Sequence, residues 1–109
     1  MITQKKIIIP IFDYKLTILI FDRWEEVSHM FDDGPEPRAI TDIWYGKALV
    51  AVNSKEETSI VHESEHIKNA IWDYIGYKPQ LGNDEVDAYV LAYIYKKIKE
   101  VFIKHDKGS

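Results

Sequence analysis

The chain contains no cysteine, only four prolines and five glycines in 109 residues, and no long apolar run. Without cysteine there are no disulfides, no thiol nucleophile and no thiolate-bound structural zinc. Any metal must be held by imidazoles and carboxylates, a donor set that suits a catalytic zinc with an open position better than a closed structural one. The longest apolar stretches are far short of a bilayer span, and no charged-then-apolar leader with a small-residue cleavage site opens the chain. The expectation is a soluble protein in the cytoplasm of its host cell, with no membrane partner. Basic residues are outnumbered 14 to 18 by acidic ones, for a net charge of −4, so a phosphate backbone gains no overall attraction. Lys96, Lys97, Lys99, Lys104 and Lys107 then read as a solvated helix face and tail, and no nucleic-acid partner is expected.

What is present argues for one packed domain over residues 1–109: 46% of residues are hydrophobic and 13% aromatic. Two β-branched runs, residues 5–11 and 15–21, flank Asp13-Tyr14 and read as a hairpin whose first strand either ends at Pro10 or lies at a sheet edge. Asp22 with Glu25 three residues on is a capping-box pattern, predicting a helix from about Arg23 that turns Trp24, Val27 and Phe31 inward. Asp32-Asp33-Gly34-Pro35-Glu36-Pro37 ends it as a surface loop. Residues 39–45 and 48–52 form a second pair of strands about Gly46-Lys47, the latter nearly all apolar and expected to be buried on both faces. Ser54 with Glu57 predicts a second capped helix, residues 55–75, closed by a left-handed Gly76. A last helix is expected over residues 84–104, followed by a frayed tail, residues 105–109.

The middle helix carries the chemistry. His62-Glu63-Ser64-Glu65-His66 places two histidines four residues apart, on one face and one turn from each other, so two ring nitrogens can aim at a single point. That is the geometry of two zinc ligands. Glu63 lies one step round the helix, where it can accept a proton from a metal-bound water instead of ligating the ion. On the helical wheel Ile60, Ile67, Ile71, Tyr74 and Ile75 form the apolar stripe, whereas His62, His66, Asn69 and Asp73 lie opposite and face a polar cleft. His29, alone on its segment, reads as a solvated or packed side chain.

A catalytic zinc normally takes three protein ligands plus water. Glu85 and Asp87 are the two candidates for the third, because a short loop should return the last helix antiparallel to the first. The wheel favours Asp87, which falls in the apolar stripe and needs a strong partner there. The bland alternative is that Asp84, Glu85 and Asp87 only complement the helix dipole.

Taken together, the His-Glu-x-x-His pentad, eighteen intervening residues and Glu85 at the next helix start resemble the gluzincin branch of the zincin metallopeptidases. Ile60-Val61-His62-Glu63 and Asp84-Glu85-Val86-Asp87-Ala88-Tyr89 are also similar to small zincin-like proteins encoded by bacteriophages and prophages. The likeness spans about residues 39–100, and the chain departs from the pattern at Glu65 and Lys68. The resemblance implies an α+β fold, a minimal zincin-like domain with a small mixed sheet of about four strands and three helices. It implies Zn2+ as cofactor, His62, His66 and Glu85 as ligands, Glu63 as general base and a peptide or protein as substrate. Strand 48–52 would be the edge strand that binds extended peptide, and Tyr45, Tyr89 or Tyr93 would be the candidate donors to the oxyanion. The rival reading is a non-catalytic zincin-fold phage protein that binds a host or viral protein, its metal structural or vestigial.

Overall fold

The computed structural model describes residues 1–31, 37–80, 82 and 84–108. Four strands, β1 (Ile2–Ile9), β2 (Tyr14–Phe21), β3 (Ala39–Trp44) and β4 (Lys47–Asn53), precede two α-helices, α1 (Ser59–Ile75) and α2 (Glu85–Gly108). The sheet order is β1-β2-β4-β3. Both hairpins pair antiparallel, and β2 pairs parallel with β4 to join them into one mixed sheet. This is an α+β architecture, and no described helix is long and apolar enough to cross a membrane.

Alternation along β2 builds two apolar layers. Tyr14, Leu16, Ile18 and Ile20 face the helices and meet Ile60, Ile67, Ile71, Ile94 and Ile98 in the larger core. Leu19 and Phe21 face the other way, onto Val27 and Phe31. At 0% exposure, Val50, Ala51 and Val52 of β4 are buried on both faces, as their unbroken apolar run requires of a central strand.

The expected helix after Asp22 is instead two 3-10 turns, Trp24–Glu26 and Ser28–Met30, separated by a non-helical Val27 with φ −125. Its apolar residues Trp24 and Val27 stand three positions apart, the 3-10 repeat, and the aromatic Trp24 and β-branched Val27 are themselves weak helix formers. The stacked rings of Trp24 and Phe31, 5.8 Å apart, lie with Val27 over the second sheet face. Among the described residues the fold therefore has two α-helices where three helices were expected. Glu26, not Glu25, closes the cap: its Oε1 accepts the backbone N–H groups of Asp22 and Arg23, each at 3.0 Å. Most of the expected loop, residues 32–36, lies outside the described residues.

α1 also begins later than the Ser54 cap implied, at Ser59 after a Thr58 that makes no side-chain cap. Ser54 is committed elsewhere, donating its hydroxyl to Asp22 Oδ1 at 2.7 Å. At the other end Gly76, φ 77, takes the left-handed conformation, and Tyr77 N–H reaches back to the Trp72 carbonyl at 2.9 Å. Asp84 caps α2 by accepting the Asp87 N–H at 3.0 Å, and the Tyr77 hydroxyl bonds its second oxygen. That phenol, then the helix N–H groups, hold the Asp84 carboxyl below the usual carboxylate range.

The tail does not fray at residue 105. His105 is buried, with Nδ1 2.7 Å from Thr3 Oγ1 and Nε2 2.8 Å from Asp22 Oδ1, and the helix runs on to Gly108. The His105 hydrogen bond, followed by that of Ser54, holds Asp22 below its usual pKa. A depressed folded value stabilises the fold above the ordinary aspartate pKa of about 4 and is lost as pH falls through the folded value. Urea midpoints at pH 6 and pH 3 should therefore fall further for the wild type than for Asp22→Asn. Equal falls would remove Asp22 from the acid response.

Candidate metal centre

The amphipathic face of α1 turns His62, His66, Asn69 and Asp73 to solvent and Ile60, Ile67 and Ile71 to the core. Sharing one face a turn apart, the imidazoles converge: His62 Nε2 and His66 Nε2 are 3.0 Å apart, with the rings nearly perpendicular at 85°. Two nitrogens bound at about 2.0–2.1 Å in a tetrahedral zinc shell stand about 3.3 Å apart. A small ring rotation separates these two that far, so the pair fits two adjacent ligand positions.

Glu63 sits between this face and the core, only 5% exposed. Thr41 of β3 donates its hydroxyl to Glu63 Oε1 at 2.6 Å, and the other oxygen, Oε2, is 4.0 Å from His62 Nε2. One carboxylate oxygen is thus anchored, and its neighbour is left beside the imidazole pair. Thr41 was not legible as a site residue, because its partner lies 22 positions away on another element. Its strand is the sheet edge beside α1. β4, expected there, is central between β2 and β3 and has both backbone edges paired, so it cannot accept an added strand.

Asp87 has found the strong partner that the wheel argument demanded. Its Oδ2 accepts from Lys68 Nζ at 2.8 Å and its Oδ1 from Trp72 Nε1 at 2.5 Å, clamping α2 to α1. Lys68 also reaches Glu65 at 2.7 Å. The two departures from the zincin pattern, Glu65 and Lys68, are therefore joined in one helix-to-helix ion network. Burial works against the Lys68 ammonium, but the hydrogen bonds it donates to Asp87 and Glu65 outweigh it and its pKa ends above the usual lysine value. Both Asp87 oxygens being engaged, Glu85 is the one of the two candidates with no hydrogen bond or ion pair among the described residues. It is exposed at the first turn of α2. The structure brings together His62, His66 and Glu63; among the described residues, no three His, Asp or Glu side chains stand as a metal-holding group.

Of the three tyrosines considered as oxyanion donors, Tyr89 and Tyr93 line a separate apolar hollow against Ile9, Pro10, Ile11 and Phe12. Only Tyr45 shares a cleft with His66. Thr41→Val leaves the buried Glu63 Oε1 without its hydroxyl donor. Stability should fall by about 1–3 kcal/mol, the cost of an unsatisfied buried acceptor; an unchanged urea midpoint would make the hydrogen bond dispensable.

The chain is thus an α+β domain with a mixed four-stranded sheet and a paired-imidazole helix face. The chain matches no protein-family model, no curated protein and no solved structure at a significant level.

Proposed function

We propose that this chain is a minimal zincin-like, zinc-dependent peptidase that works in the cytoplasm of a host cell. The observation that carries the reading is the convergence of two Nε2 atoms at 3.0 Å beside a buried carboxylate tethered through one oxygen. His62 and His66 would hold the metal, and Glu85 would complete the set by turning in from the α2 start. A bound zinc supplies Lewis acidity toward the scissile carbonyl and the attacking water. Glu63 Oε2 takes the proton from that water and returns it to the leaving amine, while Thr41 fixes the carboxylate's orientation.

Substrate alignment falls to β3. Arg38 O accepts from Asn53 N–H, so by antiparallel alternation the backbone groups of Ala39, Thr41 and Ile43 point away from β4 to the open edge. An extended peptide adding there lies along the histidine face.

A second reading, a non-catalytic binding protein on a zincin-like fold, is favoured by the standing-off of Glu85 from the imidazole pair. Incubation of the zinc-loaded chain with a mixed peptide library separates the two. Cleavage that disappears in Glu63→Gln supports the peptidase; bound zinc with an intact library after prolonged incubation supports the binder.

A further inference from the structure

The stripe that carries the histidines continues beyond them. Asn69 and Asp73 extend it along α1 toward the β3–β4 turn, where Ile43, Tyr45 and Tyr74 wall a cleft of about 490 Å³ that begins at His66. The aromatic wall is built in: the Tyr45 and Tyr74 rings meet edge to face at 4.9 Å. Gly46, φ +76, lets the turn lie against Tyr74, where an added Cβ would stand 3.3 Å from the ring. Asp73 is the carboxylate that lines this cleft, and neither a hydrogen bond nor an ion pair engages it among the described residues. A carboxylate without a counterion among the described residues, framed by an exposed Tyr45 ring and a half-buried Tyr74 ring on a chain of net charge −4, suits a cation on an apolar stem.

Building on the peptidase reading, we infer that this cleft selects a lysine or arginine side chain of the substrate, with Asp73 as the specificity-determining residue. The geometry also says where in the peptide that residue sits. Seven helical residues separate His66 from Asp73, about 10 Å of rise, which an extended strand covers in roughly three residues. β3 and α1 run in the same direction, since Thr41 meets Glu63 while Tyr45 meets Tyr74. A peptide added antiparallel to β3 therefore presents its basic residue on the N-terminal side of the cleaved bond, about three positions before it.

An exposed ion pair and a solvent-exposed cation–π contact together amount to roughly a tenfold preference. The test uses two acetylated octapeptides that differ only in lysine or norleucine at one position, titrated by fluorescence anisotropy against the zinc-loaded Glu63→Gln chain, which cannot cut them. The lysine peptide should bind about tenfold tighter, and Asp73→Asn in the same background should bring the two within twofold. Equal affinities, a preference that survives Asp73→Asn, or no binding of either peptide would overturn the assignment. The two readings fail separately. Cleavage by the wild type with no basic preference removes the specificity and leaves the peptidase, whereas an Asp73-dependent lysine preference with no cleavage leaves a basic-peptide cleft and removes the peptidase.

Discussion

Glu63→Gln is expected to lower peptide hydrolysis by about 10²- to 10⁴-fold, the range a positioned general base contributes, while zinc content stays that of the wild type. The separation of the two effects follows from the geometry. The proposed ligand set takes the imidazoles of His62 and His66 and leaves Glu63 out of the coordination shell. Glutamine is nearly isosteric, and Thr41 Oγ1 can still donate to its carbonyl oxygen as it does to Glu63 Oε1 at 2.6 Å. The amide keeps that anchor but cannot accept a proton at neutral pH. A loss of zinc together with activity would place Glu63 in the coordination shell. Retained activity would hand the base to another group, and the site as described would be wrong.

Asp87→Ala should destabilise the fold by about 3 kcal/mol, the lower part of the range for breaking a buried ion pair, because it strands an ammonium that the structure keeps out of water. Lys68 has only 6% of its side chain exposed, and without Asp87 it retains a single partner, Glu65, which is itself 47% exposed. Trp72 Nε1 loses its acceptor at the same time. For a domain of this size the thermal midpoint should fall by roughly 10–20 °C. Replacing both charges with apolar residues, Lys68→Met with Asp87→Leu, should recover much of the loss, since a well-packed apolar pair avoids the desolvation penalty. Zinc binding measured below the midpoint should be unaffected by Asp87→Ala. If the variant instead folds normally and loses zinc, Asp87 is the third ligand and the clamp reading fails.

Features whose partners lie close in the chain could be read from the residues. The β-branched runs and Pro10 gave the first hairpin, Gly46 the second turn, Gly76 the end of α1, and the i, i+4 spacing the shared face of His62 and His66. Features settled at a distance could not. The parallel pairing of β2 with β4 depends on which hairpin faces which, and nothing local encodes it. His105 read as frayed because Thr3 and Asp22 lie 102 and 83 positions away. Ser54 had the pattern of a helix cap, yet its hydroxyl went to Asp22, 32 residues upstream. Asp87 and Lys68 show the mixed case. The wheel revealed that Asp87 needed a strong partner, but either a metal or an ammonium would satisfy a half-buried carboxylate, and only the packing of α2 on α1 decides between them. The same packing turned Glu65 and Lys68 from departures into parts of the helix clamp.

The central claim is that two imidazoles of α1 and the carboxylate at the start of α2 hold one zinc ion. Elemental analysis of the purified chain after zinc loading and exhaustive dialysis tests it most directly, with Glu85→Ala and His62→Ala measured beside the wild type. One zinc per chain in the wild type and well under a tenth of that in both variants is the expected result. A wild type that keeps no stoichiometric zinc would contradict the account, and a Glu85→Ala chain that keeps all of it would contradict the assigned ligand set.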